Sequence, residues 1–407
     1  MASSRASAGG WGIVAGVRAL AGLARGVGPA WLTVLASLGL SLIGIHAIDV
    51  ADALKGSEGV LGVAALKQAA SLGVGVAGAV LIALPHYRVL GVASWVLLGV
   101  SLVMMVFLLV PGVPTSIVRA RNGARSWIDL GPIDLQPSEL AKIAYVLALA
   151  WYLRYRDNHR TVVGLLPPAL ITGLPVALIM LQPDLGTASL FIPALFAVLV
   201  AAGAKLKHLA VIVLIAAMAA PASYPFLKPH QQQRIKGLLL QIRGDTSADQ
   251  DINMQSVTAQ RLAGAGMAAG LPEERARLLL HYNPLPERHN DMVFAVICNR
   301  FGWAGGVLTL GLYGVWIVGA LLTSATCREP FGRLVPVGLT GFIVAQVFVN
   351  VGMNLGIVPI IGITLPFVSL GGSSLVTVWL MTGLIASVAL RRPRLGQRHS
   401  FEFDRDD

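Results

Sequence analysis

Apolar residues gather into long stretches around Trp31 to Ile48, Ala69 to Leu84, Val89 to Val110, Glu139 to Leu153, Val163 to Leu181, Ala188 to Ala204, Leu209 to Ala220, Trp303 to Leu322, Leu334 to Leu355 and Leu365 to Leu390. A helix needs roughly 20 such residues to cross the hydrocarbon of a bilayer. The pattern therefore predicts an all-α polytopic membrane protein with about ten transmembrane helices. The fourth and seventh stretches are short and are expected to recruit flanking residues. Between the seventh and eighth lies Tyr224 to Asn290, far longer than an ordinary loop, and connections of that length usually carry function. Its middle, Gln255 to Leu280, is amphipathic and broken by Gly264, Gly266, Gly270 and Pro272. It predicts a helical hairpin packed over the bundle.

Composition agrees with this pattern. The 407 residues are 55% hydrophobic and 13% charged, with a mean hydropathy of +0.72, which excludes a soluble multidomain protein. No internal repeat is visible. The expected organisation is one membrane domain, 29–392, including an extracytoplasmic loop at about 222–290, flanked by an N-terminal segment, 1–28, and a tail, 393–407. Met1 to Gly10 and Gln397 to Asp407 are expected to be disordered. Trp11 to Leu23 reads equally as an amphipathic surface helix, with Arg18 and Arg25 on one face, or as a disordered lead. No cleavable signal is evident, so the first span is expected to direct insertion.

Short loops rich in Lys and Arg mark the cytoplasmic side. With the N-terminus inside, the inner segments collect Arg5, Arg18, Arg25, Arg88, Arg154, Arg156, Arg160, Lys205, Lys207, Arg328, Arg333, Arg391, Arg392, Arg394 and Arg398. Both termini are thus expected to be cytoplasmic. The net charge of +11 is spread over both faces with no basic stripe among aromatics, so no nucleic-acid partner is expected. Cys298 and Cys327 stand at opposite ends of the eighth span and form neither a disulfide framework nor a metal pattern.

Five polar motifs end or interrupt the apolar stretches: Arg125 to Gly131, Gln136 to Lys142, Gln182 to Thr187, Leu285 to Phe294 and Leu365 to Ser374. Odd spans run outward and even spans inward, so all five belong to the outer face. Glu139 and Lys142 share a helical face and can pair. Pro137 and Glu139 also read as ordinary helix-start chemistry, but a lysine one turn deeper is costly in a membrane and points to function. Asp184, between Pro183 and Gly186, reads as the cap of the sixth span and equally as a carboxylate that orients Lys142 or a ligand. Asp291 is the last acid before its helix enters the membrane. Partial desolvation there would raise its pKa and suit it to general-base work. Gly371, Gly372, Ser373 and Ser374 read as a close-packing site or as a broken helix whose amides face a cavity. Arg234, with Lys236 and His230, reads as an anion binder or as solvated surface.

In this order and spacing, the motifs resemble the SEDS family of cell-wall polymerases, which includes RodA, FtsW and SpoVE. The resemblance covers Trp31 to Leu390. It rests on Arg125 to Lys142, Gln182 to Thr187, Gln231 to Ile235 with Gln255-Ser256, Leu285 to Asp291, and Asn350 to Gly356 with Leu365 to Ser369. It implies a ten-helix fold with both ends cytoplasmic, a large outer loop between helices 7 and 8, and an outward-facing active site in a bacterial inner membrane. The implied activity is peptidoglycan glycosyltransfer from lipid II. Asp291 would be the essential acid or base, supported by Glu139, Lys142 and Asp184. Arg125, Arg234 and His289 would hold the donor pyrophosphate, and the implied substrate-binding set also takes in Gln136, Gln255, Ser256, Ser369 and Ser373. The implied partners are a class B penicillin-binding protein and the membrane proteins of the elongation complex, a RodA-like role favoured by Asn350 to Met353. A division-specific FtsW-like polymerase, a lipid II flippase and a non-catalytic scaffold are the alternatives.

The chain departs from the family pattern in three places. Asn299-Arg300 stand where the family has paired acids, which bears on any Mg2+ or Mn2+ that those acids would hold. Leu370 replaces a tyrosine, and the glycine-rich stretch is altered to Gly264 through Gly270.

Overall fold

The computed structural model describes residues 28–52, 61–111, 113–114, 117–121, 124–129, 131, 134–226, 229–243, 253–283 and 285–391. The tail and, apart from Gly28, the N-terminal segment, including the expectation for Trp11 to Leu23, fall outside the described residues. Ten helices answer to the ten apolar stretches: α1 Ala30–Ala51, α2 Val63–Ala83, α3 Tyr87–Leu109, α4 Pro137–Leu153, α5 Leu166–Leu181, α6 Leu185–Ala202, α7 Leu206–Ser223, α11 Val293–Thr326, α12 Pro330–Asn354 and α13 Gly372–Leu390. Eight are long and apolar enough to cross a membrane by length and composition. The other two are α4 and α7, the short stretches of the sequence reading, and both extend into flanking residues as expected. Three further helices, α8 Pro229–Ile242, α9 Met254–Ala265 and α10 Glu273–Tyr282, fill the long connection. The last two are the helical pieces expected there, packed on α11 and α1.

Hydrogen bonds at the two ends of the bundle fix the helix directions. At one end Arg391 donates to the Ala83 carbonyl at 2.8 Å and Ser387 to that of Pro85 at 3.0 Å. Arg88 meets Glu329 there at 3.5 Å. At the other end the Gly62 amide donates to Asp49 at 2.8 Å, and the Gln136 amide donates to Ser373 at 3.2 Å. Successive helices therefore run antiparallel, and all five polar motifs collect at the second end.

Lipid chains are as apolar as leucine, so helix association in a bilayer relies on close packing and interhelical hydrogen bonds of roughly 0.6 kcal/mol each. The core supplies several. Ser37 shares a 3.0 Å bond with Thr382 and accepts from the Trp316 indole at 3.1 Å, linking α1, α11 and α13. Trp379 donates to Ser41 at 3.2 Å, and Tyr145 bonds Thr172 at 2.9 Å. Almost all of α4 is buried, from Pro137 through Leu153. That interior position is why a helix at the centre of the bundle can carry Glu139 and Lys142 without exposing them to lipid.

Three features depart from the sequence reading. A small antiparallel sheet, β1 Val118–Arg121, β2 Ala124–Asp129 and β3 Asp134–Leu135, leads into α4. The tenth helix starts at Gly372, not Leu365, because Phe367 takes a left-handed φ of 66° and ends any helical run. The eighth helix starts at Val293 and breaks at Gly302, whose φ is 67°. The break accommodates the turn between α9 and α10. The amides of Trp303 and Ala304 donate to the carbonyls of Met267 and Ala268 at 2.8 and 3.1 Å, and a side chain on Gly302 would collide with Ala268.

Candidate functional site

Four helices begin at the motif face, and their first turns converge. Asp184 caps α6, Oδ1 accepting from the Thr187 amide at 3.0 Å. Its other oxygen lies 3.5 Å from the Gln136 side-chain nitrogen at the start of α4, and the Gln136 amide reaches Ser373 in the first turn of α13. One turn into α4, the Lys142 ammonium donates to Glu139 at 2.7 Å, with side chains 1% and 5% exposed. The second Glu139 oxygen has no hydrogen-bond partner. Asp184 is spent on Thr187 and Gln136; the ion-pair partner of Lys142 is Glu139.

Asp291 is presented from above on the turn that precedes α11. Asn350 and Asn354, both fully buried near the end of α12, donate to its backbone carbonyl at 2.8 and 2.9 Å. Asn354 also accepts from the Ala295 amide at 3.1 Å, satisfying an N-terminal donor of α11. The Ser369 hydroxyl donates to the Asn290 carbonyl at 2.5 Å and accepts from the Leu365 amide at 2.7 Å. The Leu370 amide donates to the His289 carbonyl at 2.8 Å. Two non-glycine residues here occupy left-handed backbone, Glu287 at φ 56° and Phe367 at φ 66°, a strain of about 1–3 kcal/mol each that persists only where the surroundings over-determine it. Phe367 is held between Trp316 and Trp379, ring centroids 6.2 Å from each.

The side chain of Asp291 is thereby held in one place, partly out of water. Burial pushes its carboxyl up to about 7, repulsion from Glu287 and Asp184 adds to the rise, and the positive charge of Arg234 opposes it. Arg234 itself is exposed on α8, so a solvated positive charge acts on a largely desolvated acid. A carboxyl titrating near neutrality can take a proton at pH 7 or above and return it.

The remaining expected residues take other positions. His289 lies 3.4 Å from Asp52, and burial lowers its pKa despite that neighbour. It is therefore largely uncharged at neutral pH. Arg125 lies half-buried on β2, four residues before the Asp129 that pairs with Asp134. Ser256 bonds Gln260 at 3.2 Å and Gln241 at 3.5 Å between α8 and α9, with Gln255 half-buried beside it. The His230 side chain lies outside what the structure describes, and Lys236 is exposed on α8.

Sequence reasoning missed two polar anchors at this end of the bundle. Gln68 of α2, 1% exposed, donates to the Ser369 carbonyl at 2.9 Å and accepts from the Gly371 amide at 3.2 Å. Arg277 of α10 donates to Asp49 at 2.7 Å, to Glu273 at 2.8 Å and to the Asp49 and Asp52 carbonyls at 2.6 and 3.1 Å. Asp49 and Asp52 at the end of an apolar stretch were the only hint. Asn299 and Arg300, the departure from the family acids, hold the α9–α10 turn by donating to the Leu262 and Leu271 carbonyls at 2.9 and 3.0 Å. Among the described residues no three His, Cys, Asp or Glu side chains gather as a metal site would require.

Comparison with known proteins follows this geometry. Residues 29–393 match the family model described as cell cycle protein, which covers FtsW, RodA and SpoVE. The chain is 33% identical over 313 residues to the probable peptidoglycan glycosyltransferase FtsW of Nitrosococcus halophilus, covering 74% of this chain and 76% of that one. It is 33% identical over 287 residues to the peptidoglycan glycosyltransferase MrdB of Escherichia coli, covering 68% and 74%. Among solved structures it superimposes on a chain of a peptidoglycan synthase complex that coordinates polymerization and crosslinking, with a TM-score of 0.74, 32% identity and coverage of 88% and 97%. Thermus thermophilus RodA gives a TM-score of 0.65 at 28% identity, covering 89% and 97%. A family model spanning nearly the whole membrane domain, relatives alike over two thirds of the chain, and a shared fold lead to one conclusion: this protein belongs to the FtsW, RodA and SpoVE family.

Proposed function

We propose that this protein is a peptidoglycan glycosyltransferase that polymerises lipid II, with Asp291 as the general base. The acceptor sugar hydroxyl attacks the anomeric carbon of the donor and gives its proton to the Asp291 carboxylate. The bond from that carbon to the pyrophosphate breaks, undecaprenyl pyrophosphate leaves, and a β-1,4 bond forms with inversion. The observation that carries the reading is the carboxyl of Asp291, pushed up to about 7 while its main chain is pinned by Asn350 and Asn354. Arg234 acts electrostatically on that carboxyl, and in this reading its positive charge meets the departing pyrophosphate. Arg125 supplies a second positive charge. Glu139, Lys142, Asp184, Gln136 and Ser373 form the polar floor, and Gln255, Ser256 and Ser369 shape the substrate groove. His289, largely neutral and beside Asp52, serves as a hydrogen-bonding group.

The arginine-rich face opposite the site is taken as cytoplasmic, so the site opens outward from the inner membrane and both termini are inside. The partner is a class B penicillin-binding protein, which supplies the crosslinks, and the setting is the elongation machinery. Likeness to a chain of a synthase complex supports this partnership. The test is to incubate the purified complex, its transpeptidase inactivated, with labelled lipid II in proteoliposomes. The proposal expects glycan strands on a gel together with released undecaprenyl pyrophosphate. Transbilayer movement of lipid II without strands would overturn it in favour of a flippase.

A further inference from the structure

A charged cleft lies at the end of the bundle opposite Asp291, between the ends of α4 and α6 and the start of α12. It is open to solvent, offers about 370 Å3, and its walls include Arg154, Arg156, Arg333, Leu153 and Leu334. That volume falls at the lower end of small-molecule sites, about 300–1,000 Å3. Two of the arginines are already oriented. The Arg154 guanidinium stacks 3.1 Å from the Trp151 ring centroid, and that of Arg156 stands 4.4 Å from the Tyr152 ring. Among the described residues none of the three guanidiniums forms an ion pair. The lining carboxylate, Asp157, faces Arg160 at 3.7 Å.

We propose that this cavity binds the phosphate headgroup of an anionic phospholipid of the adjacent leaflet. Three guanidiniums without carboxylate partners line one cleft, Arg154 half-buried and Arg156 and Arg333 exposed, and Arg presents paired donors that match phosphate oxygens. The ring of Trp151, Tyr152 and Tyr155 places the cavity at headgroup depth, where amphipathic aromatics settle. Basic pockets between transmembrane helices on the cytoplasmic side are suited to such headgroups. The inference uses the orientation taken above but is independent of the glycosyltransfer reading.

Each arginine near the surface contributes roughly fivefold to anionic-lipid affinity. With Asp157 facing Arg160, all three arginines count, and the cavity should favour an anionic over a zwitterionic lipid on the order of 100-fold. The test titrates the full-length protein in micelles with phosphatidylglycerol or phosphatidylcholine of identical chains and counts retained lipids by native mass spectrometry, a readout indifferent to orientation and to catalysis. Wild type should retain phosphatidylglycerol preferentially. R154Q/R156Q/R333Q should lose that preference, and R156Q alone, should the triple variant fail to fold, should lose about fivefold. K205Q/K207Q, altering exposed cations of the same face, should keep it. Equal retention of both lipids by wild type, unchanged retention by the arginine variants, or equal loss in the lysine control would overturn the site. Displacement of the lipid by inorganic phosphate at comparable concentration would assign the cavity to a soluble phosphate instead.

Discussion

Replacing Lys142 by methionine removes one member of an ion pair inside the bundle, and the cost can be worked from its geometry. The two side chains are 1% and 5% exposed and joined by one 2.7 Å bond, while the second Glu139 oxygen has no partner. Taking away one partner leaves an uncompensated buried charge, which costs about 3–5 kcal/mol, whereas replacing both by groups of similar volume is often neutral. Lys142→Met should therefore lower the melting temperature by about 5–10 °C, and so should Glu139→Gln. The double variant Glu139→Gln/Lys142→Met should come within about 1 kcal/mol of wild type, far below the roughly 6–10 kcal/mol that the two single losses would sum to. Tryptophan fluorescence reads all four proteins in detergent, using the 8 native tryptophans. The outcome also separates roles: a double variant that is stable but inactive assigns the pair to chemistry. Single variants within 1 kcal/mol of wild type, or a double variant as unstable as either single, would refute the burial argument.

Further outcomes follow from the same structure. Because the base form of Asp291 does the work and its carboxyl titrates near 7, the rate of polymerisation should fall about tenfold from pH 8 to pH 6, measured under initial-rate conditions. Its folded pKa lies above the unfolded value, so the folded state holds the extra proton and Asp291 costs stability increasingly between about pH 4 and pH 7. Asp291→Asn should thus be more stable than wild type at pH 8 and not at pH 4, which thermal unfolding at both pH values checks. Arg277→Lys should loosen α10 from the end of α1, because a single ammonium cannot replace a fork that meets Asp49, Glu273 and two carbonyls; faster amide exchange in 273–282 is the readout. Gly302→Ala should cost at least about 1–2 kcal/mol from the left-handed backbone alone, and more from the clash with the Ala268 carbonyl; thermal unfolding reports it.

How much was legible in the sequence varied with the range of the interaction. Ten spans could be read because each helix must bury about 20 apolar residues in lipid, a constraint local to each stretch. The helices α9 and α10 were legible from amphipathic period and glycine spacing. Leu365 to Gly371 was misread as helix because its residues are as apolar as a span; only the left-handed Phe367, wedged between Trp316 and Trp379, shows that it is an ordered loop. The sheet before α4 was hidden by its brevity. Asp184, Gln136 and Ser373 could be placed on one face by counting crossings, yet their mutual contacts could not. The long-range polar contacts around the site were least visible. Gln68 and Arg277 act across long stretches of chain, and a single glutamine in an apolar stretch or an arginine in a polar loop carries no local mark of such a partner.

The central claim is that Asp291 takes the acceptor proton. The most direct test compares wild type and Asp291→Asn, each bound to its penicillin-binding protein with the transpeptidase inactivated, for conversion of labelled lipid II into glycan strands. The account predicts strands from wild type and none from the asparagine variant, with both complexes equally folded. Strands of equal yield from Asp291→Asn would contradict it.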